Sequence, residues 1–140
     1  MKKIIILLVV TNLSCCIGQT IKTYYTDITV ISYTDGSNIP LNEKNKIELY
    51  YENKKLTRVK IYNNEPSALA YKEVSYNFSI GNLLIDNKIG KVYTVFDQNF
   101  TQHKFEINLI LPSESTLQQR FIITDVSGIE TFFGVRKEKK

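Results

Sequence analysis

Tryptophan is missing from this chain, histidine and methionine occur once each, and there are only two cysteines, three prolines and six glycines. Each shortage removes a class of explanation. Cys15 and Cys16 are adjacent near the start and no cysteine follows them, so the rest of the chain has neither a disulfide nor a cysteine-type zinc site. A single histidine, His103, gives no His/Cys pattern of metal-ligand spacing. There is no Gly-x-Ser-x-Gly element for a serine nucleophile and no glycine loop to cradle phosphate. Long hydrophobic runs are lacking too. The longest, Ile4 to Val10, falls well short of the roughly 20 residues needed to cross a bilayer as a helix.

That short run has a different meaning. Lys2 and Lys3 precede it, and polar and small residues follow it up to Gly18, which is the three-part layout of a secretory signal of bacterial style. Cleavage after Gly18 puts small residues, Gly18 and Cys16, at the last and third-from-last positions and leaves Gln19 first. The rival is lipid attachment. Cys15 has Ser14 correctly before it but Asn12 where an apolar residue belongs; Cys16 has Leu13 correctly placed but a cysteine just before it. The expected division is therefore a signal peptide, 1–18, and a single β-rich domain, 19–140, with a short basic C-terminal tail. The expected location is secreted or periplasmic, with lipid anchoring in the cell envelope through Cys15 or Cys16 as the alternative.

Discounting Lys2 and Lys3 halves the formal surplus of +4. Part of the remainder sits in the terminal run Arg136-Lys137-Glu138-Lys139-Lys140, which reads as a solvated tail; so short a run gives little affinity for an anionic surface. No basic stripe points to nucleic acid. The nine tyrosines suit a pleated, half-buried surface, with ring packed and hydroxyl wet. A sugar-stacking platform is disfavoured by the lack of tryptophan.

The recurring period is two. Phe105, Ile107, Leu109 and Leu111 alternate with Lys104, Glu106, Asn108 and Ile110; Val74, Tyr76, Phe78 and Ile80 do the same, as do Ile129, Thr131, Phe133 and Val135. From Ile21 to Thr34 both faces are mixed, which suits a long strand that bends or changes surroundings. Turn chemistry divides these runs at Glu52–Lys55, at Asp86-Asn87-Lys88 with Gly90, and at Asp125–Gly128. Pro40 and Pro112 fall in connections expected at 35–45 and 112–117, and Pro66 lies between strands. About eight strands are expected, at 21–34, 46–52, 55–62, 68–80, 83–86, 91–97, 103–111 and 118–136, the last a hairpin. Ser113–Arg120 is the best helix candidate and amounts to one turn at most. The fold class is all-β, an antiparallel meander that closes into a barrel or stacks as a two-sheet sandwich. A ligand-holding barrel is a match of size and class only, since the Gly-x-Trp signature of the lipocalin kind is absent.

Three constellations invite chemical readings. His103 has Asp97 and Glu106 nearby, but Glu106 is an odd number of residues away and faces the other side of a straight strand, while the turn-like Asn99–Gln102 favours an exposed loop histidine. Asp125 and Glu130 flank a turn and as a pair could hold a cation or act on a glycosidic bond; the commoner role is an Asp that accepts backbone hydrogen bonds and a Glu in water. Asn77-Phe78-Ser79 and Asn99-Phe100-Thr101 match the glycosylation triplet by chance. No catalytic, cofactor-binding or metal residue is assigned. The function expected is a non-enzymatic exported domain, without cofactor, that binds a small apolar ligand or a protein partner. The alternative is a structural or assembly component of the envelope, touching membrane only if lipidated.

Overall fold

Alternating apolar and polar residues build strands along most of the chain, and turn residues fold each strand back on the last. The computed structural model describes residues 18–64, 73–109 and 115–137, and among them there are ten strands and no helix. In chain order these are β1 (Gln19–Tyr25), β2 (Ile28–Ser32), β3 (Asn38–Leu41), β4 (Lys44–Glu52), β5 (Lys55–Asn64), β6 (Glu73–Asp86), β7 (Gly90–Phe96), β8 (Gln102–Asn108), β9 (Leu117–Thr124) and β10 (Glu130–Arg136). All belong to one antiparallel sheet with the order β1-β4-β5-β6-β7-β8-β9-β10-β2-β3. From β4 to β10 it is a meander, and the sheet curls into a half-barrel.

Its two ends converge on one bent segment. β1 pairs with β4 and β2 with β10, although β1 and β2 are separated by only Thr26 and Asp27. At the bend, Thr26 N–H donates to Asn45 O (2.8 Å) and Asp27 N–H donates to Gly134 O (2.9 Å), so successive residues reach opposite neighbours. The mixed faces of Ile21–Thr34 have this cause: the segment changes partner halfway. A buried polar cluster fastens the junction. Asn45 N–H donates to Thr26 Oγ1 (3.0 Å), Asn45 Nδ2 donates to Thr29 Oγ1 (2.8 Å), and Thr29 Oγ1 donates to Glu43 O (3.3 Å).

The core lies on the concave face. Phe78, Phe105, Phe121 and Phe133 come from four different strands, with Ile47, Leu49, Val59, Ile61 and Val95 filling between them, all at most 2 % exposed. Phe105 and Phe121 stack at 6.0 Å, and Tyr24 meets Phe121 edge-on at 5.1 Å. Burying a side chain of this size is worth about 1.5–3 kcal/mol. The barrel interior is thus filled by side chains.

Several boundaries differ from expectation. Pro40 sits inside β3, not in a connection. That strand pairs only with β2 at the sheet's edge, where a missing N–H breaks no ladder. The runs expected at 68–80 and 83–86 are one strand, β6, because bulges between Ile80 and Ile85 absorb the break. Gly81 is required there, since a Cβ would collide with the Thr94 hydroxyl and the Phe96 ring. The expected helical turn is replaced from Leu117 onward by β9. With the first run also split in two, about eight strands become ten. The leader up to residue 17, with Cys15 and Cys16, and also Pro66, Pro112 and the last three residues of the tail lie outside the described residues.

Candidate functional site

His103 was expected on an exposed loop, and the structure corrects this. It lies in β8 on the same alternation as Phe105 and Ile107, half-buried, with its ring edge-on to Phe78 at 5.3 Å. Its Nε2 is 3.0 Å from Asp97 Oδ2, so a carboxylate does orient the imidazole. Glu106 points to the opposite face, toward Lys104 (3.9 Å). Catalysis by such a pair requires a hydroxyl, thiol or water on the second ring nitrogen. Nδ1 is buried and has no hydrogen-bond partner among the described residues. The pair instead pins the loop that follows β7. Asp97 Oδ1 accepts from the N–H groups of Asn99 (2.8 Å) and Thr101 (3.0 Å). The hydrogen bonds from His103 first, and then from Thr101, hold the Asp97 carboxyl below its usual range.

Asp125 is occupied in the same way. Its Oδ1 accepts from Ser127 N–H (2.8 Å) and Ile129 N–H (3.0 Å), which shapes the β9–β10 turn around left-handed Gly128. No ion pair or hydrogen bond joins it to Glu130. Asp35 repeats the device on Ser37. Among the described residues, no group of three His, Cys, Asp or Glu side chains could hold a metal ion. Asn77 of the first triplet is half-buried in β6; Asn99 of the second is exposed, beside Phe100 in the left-handed region (φ 61°).

On the convex face of β4 and β5, Glu48 gathers a network that no sequence signal suggested. Tyr50 (2.6 Å) and Tyr62 (3.1 Å) donate their phenol O–H groups to Oε2, and Lys46 Nζ lies 3.1 Å from Oε1. Lys46 also sits over the Tyr62 ring (4.2 Å) and Lys60 over Tyr50 (5.1 Å). Burial pushes the Glu48 pKa up, but hydrogen bonds from Tyr50, Lys46 and Tyr62 outweigh it and the net shift is downward. Every acceptor is matched to a donor, so the network is a cross-strand clamp.

The remaining concentration of unmatched groups is at the end of the half-barrel where β4 turns into β5 and β6 into β7. A cavity of about 320 Å³ opens there, lined by Thr20, Lys22, Tyr51, Lys54, Lys91, Ile107 and Leu109. Ile107, Leu109 and the Tyr51 ring make its apolar floor. Lys22 stands over that ring, with Nζ 5.2 Å from the centroid. Lys54 occupies a two-residue turn in which Asn53 and Lys54 both have positive φ (49° and 65°). Lys91 is 3.7 Å from Asp86; Lys22 and Lys54 have no carboxylate partner among the described residues. Burial first, and then neighbouring Tyr93 and Tyr24, push the Tyr51 pKa up to about 12, so its phenol is neutral at ordinary pH.

Sequence reasoning missed these lysines, yet a signal was present. Lys91 shares its alternation with buried Tyr93 and Val95, and Lys22 opposes buried Leu49 across the β1–β4 pair. A lysine on the concave side of a strand has to be explained. A second, wider depression of about 620 Å³ is lined by His103 and Asp125, two of the residues singled out from the sequence, with Leu84, Thr94, Gln102, Lys104, Thr124 and Val126, and has no comparable grouping of like charge. Against known proteins, no family model, curated protein or solved structure matches this chain.

Proposed function

We propose that the chain is an exported, non-enzymatic binding domain of the cell envelope or the space outside it, and that it takes a small amphipathic anion at the lysine-rimmed end of its half-barrel. The observation that carries this reading is the coincidence in one cavity of an apolar floor with Lys22 and Lys54, two ammonium groups without carboxylate partners among the described residues. A ligand with a short apolar body and a carboxylate, sulfonate or phosphate head satisfies both. The size fits as well, because small-molecule pockets begin at roughly 300 Å³. The filled core favours an end site over a central one. The non-enzymatic part of the reading is supported by His103, whose Nδ1 is buried and has no hydrogen-bond partner among the described residues. The leader of Lys2, Lys3 and the Ile4–Val10 run supports export.

The test uses the chain from residue 19, which contains all ten strands, and anilinonaphthalene sulfonate, a fluorescent amphipathic anion. Stoichiometric binding is expected, displaced by decanoate and weakened by salt. Lys22→Glu with Lys54→Glu should lower affinity at least tenfold while leaving the melting temperature within a few degrees. Equal affinity in wild type and the double variant would refute the site.

A further inference from the structure

The β6–β7 hairpin carries apolar side chains where a soluble sheet would carry polar ones. β5 pairs with β6 only as far as Ser79, opposite Arg58, so the stretch Gly81–Asp86 is held by β7 alone. Within it Leu83, Leu84 and Ile85 are consecutive and 46 %, 55 % and 50 % exposed, and Ile89 beyond the turn is 65 % exposed. Across the bulge Leu83 pairs with Tyr93 and Ile85 with Val92, neighbours that face opposite sides of β7, so no single packing surface in this fold can cover all three. Leu109 joins the patch: it is half exposed, and its N–H donates to Ile89 O (3.0 Å). Contiguous apolar exposure of this kind marks a contact surface.

Its surroundings indicate what it contacts. Lys54, Lys55, Lys88 and Lys91 lie on the two hairpins of this end, and Arg136 and Lys137 end β10 on the same side; the acidic groups beside them among the described residues are Glu52, Asp86 and Asp27, whose Oδ2 accepts from Arg136 N–H (3.1 Å). Asn87 shapes the β6–β7 turn by accepting from Ile89 N–H (2.9 Å) and Gly90 N–H (3.0 Å), the task given to Asp35, Asp97 and Asp125 at the other end. Gly18 is here too, its carbonyl accepting from Asn53 N–H (2.9 Å).

We infer that this end docks on a bilayer bearing anionic lipid, with Leu84, Ile85 and Ile89 entering the interface and the lysines meeting the headgroups. Apolar tips flanked by basic residues combine the two attractions that hold a protein in the membrane interface. The surface shares Leu109, Lys54 and Lys91 with the proposed anion cavity, but its apolar tip is separate, since neither Leu84 nor Ile89 lines that cavity.

Vesicle co-sedimentation tests this with the chain from residue 19, which carries no lipid. Binding to phosphatidylglycerol-containing vesicles is expected to exceed binding to pure phosphatidylcholine at least tenfold and to fall steeply with salt. Leu84→Asp with Ile89→Asp should cut it at least tenfold while anilinonaphthalene sulfonate binding and the melting temperature stay unchanged, a result that separates this surface from the cavity. No preference for anionic vesicles, or binding indifferent to the double substitution, overturns the inference. So does a dimer in analytical ultracentrifugation that the double substitution dissolves without vesicle binding by the wild type, because the occupant would then be a second copy of the chain.

Discussion

Replacing Thr26 by valine tests the junction on which the half-barrel depends. Thr26 is 1 % exposed, and valine has nearly its shape, so the change removes a hydroxyl and leaves packing almost intact. That hydroxyl accepts the Asn45 N–H at 3.0 Å, and Asn45 is itself fully buried. The Thr26 N–H bond to Asn45 O survives, being made by backbone. The hydroxyl's own bond to Asn45 O (3.2 Å) is lost as well, but that carbonyl keeps the Thr26 N–H; the cost is then chiefly one buried N–H without an acceptor, about 1–3 kcal/mol. For a chain of this size that lowers the melting temperature by roughly 3–15 °C. Thr26→Ser is the control: it retains the acceptor and loses one methyl, worth about 1 kcal/mol. Amide hydrogen exchange separates the two, because the Asn45 amide should lose protection in Thr26→Val and keep it in Thr26→Ser. If Thr26→Val melts at or above the wild-type temperature with that amide still protected, the account of the junction is wrong. The functional corollary is local: β1 carries Thr20 and Lys22 to the cavity, so loosening its far end should also weaken anion binding.

Acid should destabilise the fold through Glu48. A folded-state pKa below the unfolded value contributes stability that is present above the unfolded value and is lost as pH falls through the folded one. The melting temperature should therefore begin to drop below about pH 4.5, the ordinary value for this side chain, and Glu48→Gln should flatten the slope; an unchanged slope would remove Glu48 from the explanation. Asp35 and Asp97, both shifted downward by hydrogen bonds, add to the loss at lower pH. Asn87→Asp should preserve the turn, since Asp35, Asp97 and Asp125 make the same bonds, and weaken binding to anionic vesicles several-fold by adding a negative charge to the basic end; vesicle titration at low salt would detect it.

The strands were legible because their alternation is local, and the hairpin turns because their residues are specialised. Phe78, Phe105, Phe121 and Phe133 occupy the inward positions that the period of two assigns. What could not be read locally is pairing across long separations. Nothing near Thr26 announces that its two sides will bind residues 45 and 134, and that arrangement decides between a sandwich and a curled half-barrel. β3 was hidden by Pro40, whose usual meaning as a strand breaker does not hold at an edge. The burial of His103 was misjudged because its turn-like neighbours, Asn99 to Thr101, stop where β8 begins. Lys22, Lys54 and Lys91 are spread over two strands and a turn, so only the curl of the sheet brings them together.

The two ends of the half-barrel solve one conformational problem with different chemistry. Each turn needs an oxygen two residues ahead of an unpaired N–H, and Asp or Asn supplies it equally well. At one end the oxygen belongs to Asp35, Asp97 and Asp125; at the β6–β7 turn it belongs to neutral Asn87. As backbone geometry does not require the difference, its effect is electrostatic. A carboxylate at position 87 would sit next to Lys88 and near Lys91, which already shares Asp86. With an amide there instead, the positive potential of Lys54, Lys55 and Lys88 remains available to an anionic surface. The turns thus give the molecule a charge axis along its strands, with the apolar hairpin tip at the positive pole.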